Sequence, residues 1–576
     1  MHYTLFGLKE ACVMRILIVG GVAGGASTAA RARRLNAQAE IILFERGPDI
    51  SFSNCALPYY LGGVVAAHES LIMMTPERFK NQYDIEARVN SEVIAIDRGQ
   101  KKIKIHEMKT GNEYEEHYDI LVLSPGAKPI LPRSIQGVLS EHVFTVRNVP
   151  DIVKLNRQIQ RPDVQEVAVI GGGFIGVEIA ENLVHAGKKV ALIEAADQIM
   201  APFDYDMVQI LHKELLDNQV QLILKDGVTE ITRTQVRLAS GRTVDAQAVV
   251  VAIGVAPETS LAKAAGLDLG VTGGIKVDRN YQTSDPNIYA VGDAIEVYNR
   301  LTQKPGRLAL AGPAQRQARA AADHINGLSH QNHGVLGSSV VRIFGMNAAC
   351  TGLNEKAATA AGIPYDFVYI IPMDKVSLMP GSAPLHFKLL YEYPTGRILG
   401  AQAIGRGSAD KRIDVIAAMI SMNATLDDIK ELELCYSPLF GTARDVLNQA
   451  ALVALNILNG QVRQIPVSQV RELVEHGAFI VDVREENEFE QGHLLGAVNI
   501  PLSQLRNRLD EIPYDRPVYL HCRSSQRSYN AYMALVNRGY KNVYNISGSY
   551  LGICLYEYYL DMVTGRKKIV TAYNFK

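Results

Sequence analysis

The chain of 576 residues contains no tryptophan and only six cysteines. These (Cys12, Cys55, Cys350, Cys435, Cys522 and Cys554) never fall in a paired C-x-x-C spacing. Such scatter argues against a disulfide framework or a zinc site, and for a reducing cytoplasm. With 59 basic against 60 acidic residues the net charge is −1, so no global field draws nucleic acid or an acidic membrane surface. No apolar run approaches the roughly eighteen residues of a membrane helix. Residues 1–13 lack the basic start and the long apolar stretch of a secretory signal. His330 and His333, in "SHQNH", read as loop residues, and no metal is expected.

What is present is an ordinary globular composition, 47% hydrophobic and 21% charged. Length alone predicts about three to five domains. A strand pattern, "RILIVGG", begins right after Met14. Met14 therefore reads as the natural start, and residues 1–13 as an extension without a role. The strand runs into Gly20-Gly21 and Gly24-Gly25, then an alanine-rich helix containing "RARRL". Such a turn lets a pyrophosphate approach backbone N–H groups at a helix N-terminus. The next strand ends at Glu45, where a carboxylate can accept ribose hydroxyls. The middle glycine of GxGxxG is replaced by Val22.

A second such unit, "VAVIGGGFIGVEIAENLVHAGKKVALIEAAD", has Gly171, Gly173 and Gly176 in full GxGxxG register and a strand ending at Glu194. A carboxylate there favours a free 2′-hydroxyl and repels a 2′-phosphate, so NADH is expected over NADPH. A third element, "TSDPNIYAVGDAI", ends a strand at Gly292-Asp293.

Together with "LVLSPGAKP", which holds Gly126, and "VAIGVAPE", these elements give residues 14–455 a resemblance to the two-dinucleotide-binding-domain flavoproteins, which include the pyridine nucleotide-disulfide oxidoreductases. The resemblance implies an α/β chain with two Rossmann-like domains and an α+β dimerisation domain. It places FAD on the first site, with Arg46 among its contacts and Asp293 at the ribityl chain. It places NAD(H) on the second, with Glu178 near the nicotinamide. The implied boundaries are an FAD domain at 14–150 and 266–334, an NAD domain at 151–265 and a dimerisation domain at 335–462.

Within that family "SFSNCALPYY", Ser51 to Tyr60, resembles the SFxNCGLPY segment of coenzyme A-disulfide reductases and their persulfide-reducing relatives, with Ala56 for the usual glycine. The resemblance implies a mixed disulfide between Cys55 and coenzyme A, with Ser51 and Asn54 lining the substrate channel. Arg34 is a candidate for the coenzyme A phosphates, whereas Arg31 and Arg33 read as a solvated helix face. A thiol ahead of a helix can have its pKa lowered from about 8.5 to roughly 3.5–7.5. "LELCYSPLFGTARDVLN" is similar to the segment that carries a tyrosine into the partner subunit's site, which makes Tyr436 a proton donor and the chain a homodimer. The family's other tyrosine, before a Pro-Gly, is replaced by Leu378-Met379. Cys435 stands for a usual serine and reads as a bystander. The first glycine turn lacks the histidine of the related peroxidases.

From 463 to 576 the signatures change. "AFIVDVREENEFEQGHLLGAVNIPL" and "PVYLHCRSSQRSYNAYMAL" resemble the rhodanese family, with DVR and GHxxGAxNIP elements and a Cys-x4-Arg loop. The resemblance makes Cys522 a persulfide carrier in a cradle of backbone N–H groups, with Arg523 and Arg527 stabilising the thiolate or an anionic donor. The usual GGY element reads "SGSYLGI".

The sequence therefore implies an FAD-dependent NADH:coenzyme A-persulfide and polysulfide reductase fused to a sulfurtransferase. Alternatives are a coenzyme A-disulfide reductase maintaining the thiol pool, a sulfurtransferase with a redox-sensing flavin half, and an NADH oxidase. Glu194 carries a direct test. The kcat/KM for NADH should exceed that for NADPH by at least about tenfold, and a preference for NADPH would overturn the assignment of that carboxylate.

Overall fold

Ile16, Leu17 and Ile18 form an unbroken apolar run buried on both faces, as a central parallel strand requires. In the computed structural model, which describes residues 13–330 and 332–575, this run is the centre strand Arg15–Val19 of a five-stranded sheet. Most of the extension proposed at residues 1–13 lies outside the described residues. The chain divides into two units. One comprises the chain up to Gly171, with Asn182–Lys189 and Val228–Val335; the other comprises Gly172–Glu181, Val190–Gly227 and everything from Leu336.

In the first unit the sheet order is Ile288–Ala290, Ile120–Leu123, Arg15–Val19, Glu40–Glu45 and Glu86–Val89. All pairings are parallel. Helix Ala23–Leu35 packs on helix Ala311–Ile325. Their buried faces are small, with Ala26, Ala29 and Ala32 on one and Ala318, Ala321 and Ala322 on the other, so the helices can approach closely. The same unit holds parallel strands Val143–Phe144, Ala248–Val251 and Glu166–Ile170, the last leading into the second glycine motif.

In the second unit, strands Lys189–Ile193 and Gln221–Ile223 pair in parallel. A five-stranded antiparallel sheet follows, in the order Ser339–Ile343, Met346–Gly352, Ile398–Gly405, Leu385–Glu392 and Tyr365–Ile370. The C-terminal sheet is all-parallel, with the order Gln464–Ile465, Val543–Ile546, Val518–His521, Phe479–Asp482 and Val498–Asn499. Its closing helix, Ser549–Thr564, packs on helix Tyr205–Asp217, and the Tyr559 hydroxyl donates to the carbonyl of Leu222. None of the helices among the described residues is long and apolar enough to cross a membrane.

One buried cation organises this second unit. Lys388, fully buried on strand Leu385–Glu392, places Nζ 2.8 Å from Asp206, 3.2 Å from Asp204 and 2.5 Å from Glu355. These three carboxylates have the grouping of a metal site, and the ammonium sits among them. Burial alone would lower the pKa of Lys388; the carboxylates of Asp206, Asp204 and Glu355 override it and hold the group charged. Removing one partner of such a cluster strands the others. Lys388→Met should therefore cost about 3–5 kcal/mol, read as a lower denaturant midpoint, and an unchanged midpoint would refute the role given to the cluster.

Candidate functional site

In the first unit, strand Arg15–Val19 ends at Gly20, whose φ of +95° only glycine adopts readily. A Cβ there would lie 2.1 Å from the carbonyl oxygen of Ser124, and one on Gly25 would lie 1.8 Å from that of Gly20. A Cβ on Gly24 would lie 2.4 Å from the Ser124 hydroxyl oxygen. Ser124 thus shapes the turn from the neighbouring strand. Glu45 is tethered across it, accepting the N–H groups of Gly21 and Gly47, each at 2.8 Å. Arg46 is exposed and faces Glu92 at 3.9 Å.

Gly292 and Asp293 begin a short 3-10 turn. The Gly292 N–H donates to Gln317 at 2.7 Å. Burial raises the pKa of the Asp293 carboxyl, opposed by the charge of Arg147. Arg147 also crowds Gly126, where a Cβ would meet its Nη2 at 2.5 Å. This set fits a flavin dinucleotide. The glycine turn admits no side chain where a pyrophosphate would approach, one carboxylate stands at the end of the second strand, and a second is desolvated at Asp293.

The cysteine segment is stitched onto the same turn. Ser51, at φ +48°, donates its N–H to the Gly21 carbonyl at 2.9 Å. The Asn54 amide donates to the Arg147 carbonyl at 3.4 Å, while its buried Oδ1 has no hydrogen-bond partner. Cys55 is exposed in the 3-10 turn Asn54–Ala56, ahead of helix Leu57–Leu61. That helix has only five residues, so the N–H groups nearest the thiol belong to a tight turn rather than to a long helix.

Arg31 and Arg33 depart from the solvated face expected of them. Arg31 pairs with Asp323 at 2.6 Å. Arg33 donates to the carbonyls of Tyr83, Asp84 and Ala37. Both are tied to backbone or to a neighbouring helix. Arg34 is exposed, with its guanidinium 5.6 Å from the Tyr83 ring centroid.

The second motif repeats the first. Gly171 has φ +108°, and a Cβ there would meet the Ala252 oxygen at 2.5 Å. In the second unit, Glu194 accepts the N–H groups of Gly172 at 2.7 Å and Ala196 at 2.9 Å. A Cβ on Gly173 would meet open space, which is room for a dinucleotide. Gly176 and Glu178 stand on helix Phe174–His185. Cys435 and Tyr436 lie in irregular chain between helices Leu426–Lys430 and Val446–Leu458. Tyr436 is half exposed, beside exposed Leu439 and Phe440.

The C-terminal site is built at the end of strand Val518–His521. Cys522 is buried rather than open. Its Sγ lies 3.6 Å from the Ser528 hydroxyl and 3.9 Å from that of Ser549. The loop ends at helix Gln526–Val536. Arg527 makes two bonds to Glu488, at 2.5 and 2.7 Å. Those bonds raise its pKa, and the nearby charge of Cys522 adds to the rise. Arg523 is part-buried, and desolvation lowers its pKa against the charge of Glu488.

The DVR signature is a brace. Arg484 forks onto Asp482 at 2.5 to 3.0 Å and donates to the Gly492 carbonyl at 2.7 Å. Ser124, Arg147, Glu488, Ser528 and Ser549 went unnoticed in the sequence. Only Ser549 left a trace there, as a departure from GGY.

Residues 14–318 match the pyridine nucleotide-disulphide oxidoreductase family and residues 338–445 match its dimerisation domain. Residues 466–555 match the rhodanese-like domain. The coenzyme A disulfide reductase of Staphylococcus epidermidis is 33% identical over 435 residues, 75% of this chain and 98% of that protein. Reduced Bacillus anthracis CoADR-RHD is similar with a TM-score of 0.92 at 44% identity, covering 96% of this chain and 99% of that one. An NAD-dependent persulfide reductase from A. fulgidus is similar with a TM-score of 0.89 at 32% identity, covering 94% and 100%.

The closeness of the Gly25 and Gly20 backbones gives a direct test of the first site. Gly25→Ala should retain FAD at least about tenfold less well, since 1.4 kcal/mol of lost contact suffices. Flavin absorbance after purification reads this, and full retention would refute the assignment.

Proposed function

The chain belongs to the pyridine nucleotide-disulphide oxidoreductase family, whose members bind FAD and NAD(H), and from that premise we propose that it reduces coenzyme A persulfide, and polysulfide, at the expense of NADH. The observation that carries this reading is the single described cysteine of the first unit, Cys55. It is exposed. A second sulfur must then come from the substrate.

The Cys55 thiolate attacks the inner sulfur of coenzyme A persulfide, the sulfur–sulfur bond breaks, and hydrosulfide leaves with the electron pair. The chemistry FAD supplies when bound is the relay of two electrons from NADH to the resulting mixed disulfide. Ser51 and Asn54 hold the substrate arm beside Cys55, the unpartnered Oδ1 of Asn54 being an acceptor at hand. Arg34, exposed on its helix, serves the phosphates. Tyr436 acts across the interface of a homodimer, a reading that the exposed Leu439 and Phe440 support. A phenol is a weak acid of the kind that can protonate a departing thiolate.

Leu378, 84% exposed, and Met379 occupy the place of the family's second tyrosine. Reduction of the disulfide releases two coenzyme A thiolates, whereas reduction of the persulfide releases one of them and a hydrosulfide, which needs less acid help. This favours persulfide over disulfide. At the C-terminal site Cys522 takes sulfane sulfur as a persulfide and passes it to coenzyme A or Cys55. The 33% identity to a coenzyme A disulfide reductase supports a second reading, a thiol-pool reductase with an attached sulfurtransferase.

Anaerobic NADH oxidation with the two substrates at matched concentrations separates them. The persulfide should show a kcat/KM at least about tenfold higher, about 1.4 kcal/mol of transition-state preference. Equal or faster turnover of the disulfide would establish the second reading. Cys55→Ser should abolish NADH consumption with both substrates while leaving sulfur transfer from thiosulfate to cyanide intact.

A further inference from the structure

We propose that Ser549 is a catalytic residue of the sulfur-transfer site, its hydroxyl donating the hydrogen bond that holds the Cys522 sulfur as thiolate and as persulfide. The inference rests on reading Cys522 as a sulfur carrier. It begins from an anomaly of backbone and sequence together. In "SGSYLGI" a serine stands where the resemblance leads one to expect glycine. Ser549 nevertheless keeps the conformation of a glycine, with φ +48°. A residue bearing a Cβ is strained there, and strain of that kind persists where the side chain is needed.

The surroundings specify the need. Ser549 begins helix Ser549–Thr564 and is fully buried, as is Ser528, and Cys522 is 1% exposed. The Ser549 oxygen accepts the Cys522 N–H at 3.2 Å and the Ser525 hydroxyl at 3.2 Å. The Ser525 hydroxyl has the Ile546 carbonyl as an equal alternative, at 3.2 Å, but the Cys522 N–H holds the Ser549 oxygen in place, and the Ser549 proton remains to be placed. It has two acceptors, the Ile546 carbonyl at 3.4 Å and the Cys522 Sγ at 3.9 Å. Against a neutral thiol the carbonyl is the better partner. Against a thiolate the charged sulfur is, because charge-assisted hydrogen bonds are about twice as strong. Ionisation of Cys522 therefore turns the hydroxyl toward the sulfur.

Two arginines of this domain are committed elsewhere. Arg527 is bound to Glu488, and Arg484 to Asp482. His521, buried beside Cys522, stands 3.7 Å from Asp482. Ser528 offers a second hydroxyl at 3.6 Å, but it also donates to the Ser525 carbonyl at 3.1 Å. Arg523 is the remaining cation. A buried anion needs donors beyond the backbone N–H groups of its loop, and Ser549 supplies one from a different helix than the one that carries Ser528.

The step it serves is balanced without a redox partner. The Cys522 thiolate attacks the outer sulfur of thiosulfate, a sulfur–sulfur bond forms, the old one breaks, and sulfite leaves with its electron pair. Cyanide then attacks the outer sulfur of the Cys522 persulfide, thiocyanate departs, and the thiolate is restored. The Ser549 hydroxyl donates to the inner sulfur throughout and transfers no proton.

The test uses the full-length holoenzyme with thiosulfate and cyanide, comparing wild type with Ser549→Gly and Ser549→Ala. The pH dependence of alkylation, followed at Cys522 by peptide mass spectrometry, reports the thiol. Ser549→Gly removes the hydroxyl and relieves the backbone, so Tm should stay level or rise. The Cys522 pKa should nonetheless rise by about one unit, leaving about a tenth of the thiolate at a pH below both values. The kcat/KM for thiosulfate should fall about tenfold with it. Ser549→Ala should show the same chemical loss with a lower Tm. An unchanged thiol pKa and a kcat/KM within about twofold of wild type would overturn the proposal. So would a joint fall of Tm and activity in Ser549→Gly, which would make Ser549 only an anchor for the Cys522 N–H. Failure of the wild-type chain to form thiocyanate would instead overturn the sulfurtransferase reading, and the alkylation titration would then decide on the hydroxyl alone.

Discussion

The second unit depends on keeping one ammonium charged away from water. Lys388 lies among Asp204, Asp206 and Glu355, carboxylates drawn from the starts of two helices, while the lysine comes from the antiparallel sheet. Coulomb attraction at these distances is strong only because water is excluded. The neighbouring bonds reinforce it, since Asp204 exchanges hydrogen bonds with Gln402 and also accepts the Glu355 N–H. With three carboxylates to one lysine, burial raises the carboxyl pKa of Asp204 and of Glu355 even against the lysine. The cluster thus fixes the helix that begins at Tyr205, and that helix is the one on which the C-terminal domain rests.

Both glycine turns use a different constraint, the exclusion of side chains. At Gly20 and Gly171 a carbonyl from an adjacent strand end closes the space, and at Glu45 and Glu194 a carboxylate accepts the N–H of the glycine one position further on. The two sites are built alike although their residues differ around them. A cofactor with a pyrophosphate and a ribose meets the same arrangement twice, which fits electron transfer between two dinucleotides.

Periodicity and glycine spacing make the parallel strands, their order along the chain and the paired carboxylates legible in the sequence, because each is a local consequence of residues close in the chain. The C-terminal domain is legible for the same reason, through Cys522 and the DVR and GH elements. What the sequence hides is contact over distance. Ser124 lies about a hundred residues from Gly20, and Glu488 lies 39 from Arg527. Neither carries a motif of its own. The sequence also assigns Arg527 to the sulfur without seeing that Glu488 holds it, and it leaves Arg31 and Arg33 in solvent where the structure pairs them. Charged side chains find partners that spacing along the chain does not reveal.

Helix Ser549–Thr564 has a consequence for how the chain can be taken apart. Its inner face is buried along most of its length, and part of that face meets helix Tyr205–Asp217, where Tyr556 packs edge-on to Tyr205 and Tyr559 lies against His212. A protease cutting near residue 463 would sever the backbone without freeing the fragments. Expressed alone, the reductase portion would present Tyr205 and His212 to water as a sticky seam. The fused domain is therefore a lining of its neighbour, and a gene encoding only the first 460 or so residues would need substitutions along that seam to yield a dispersed protein.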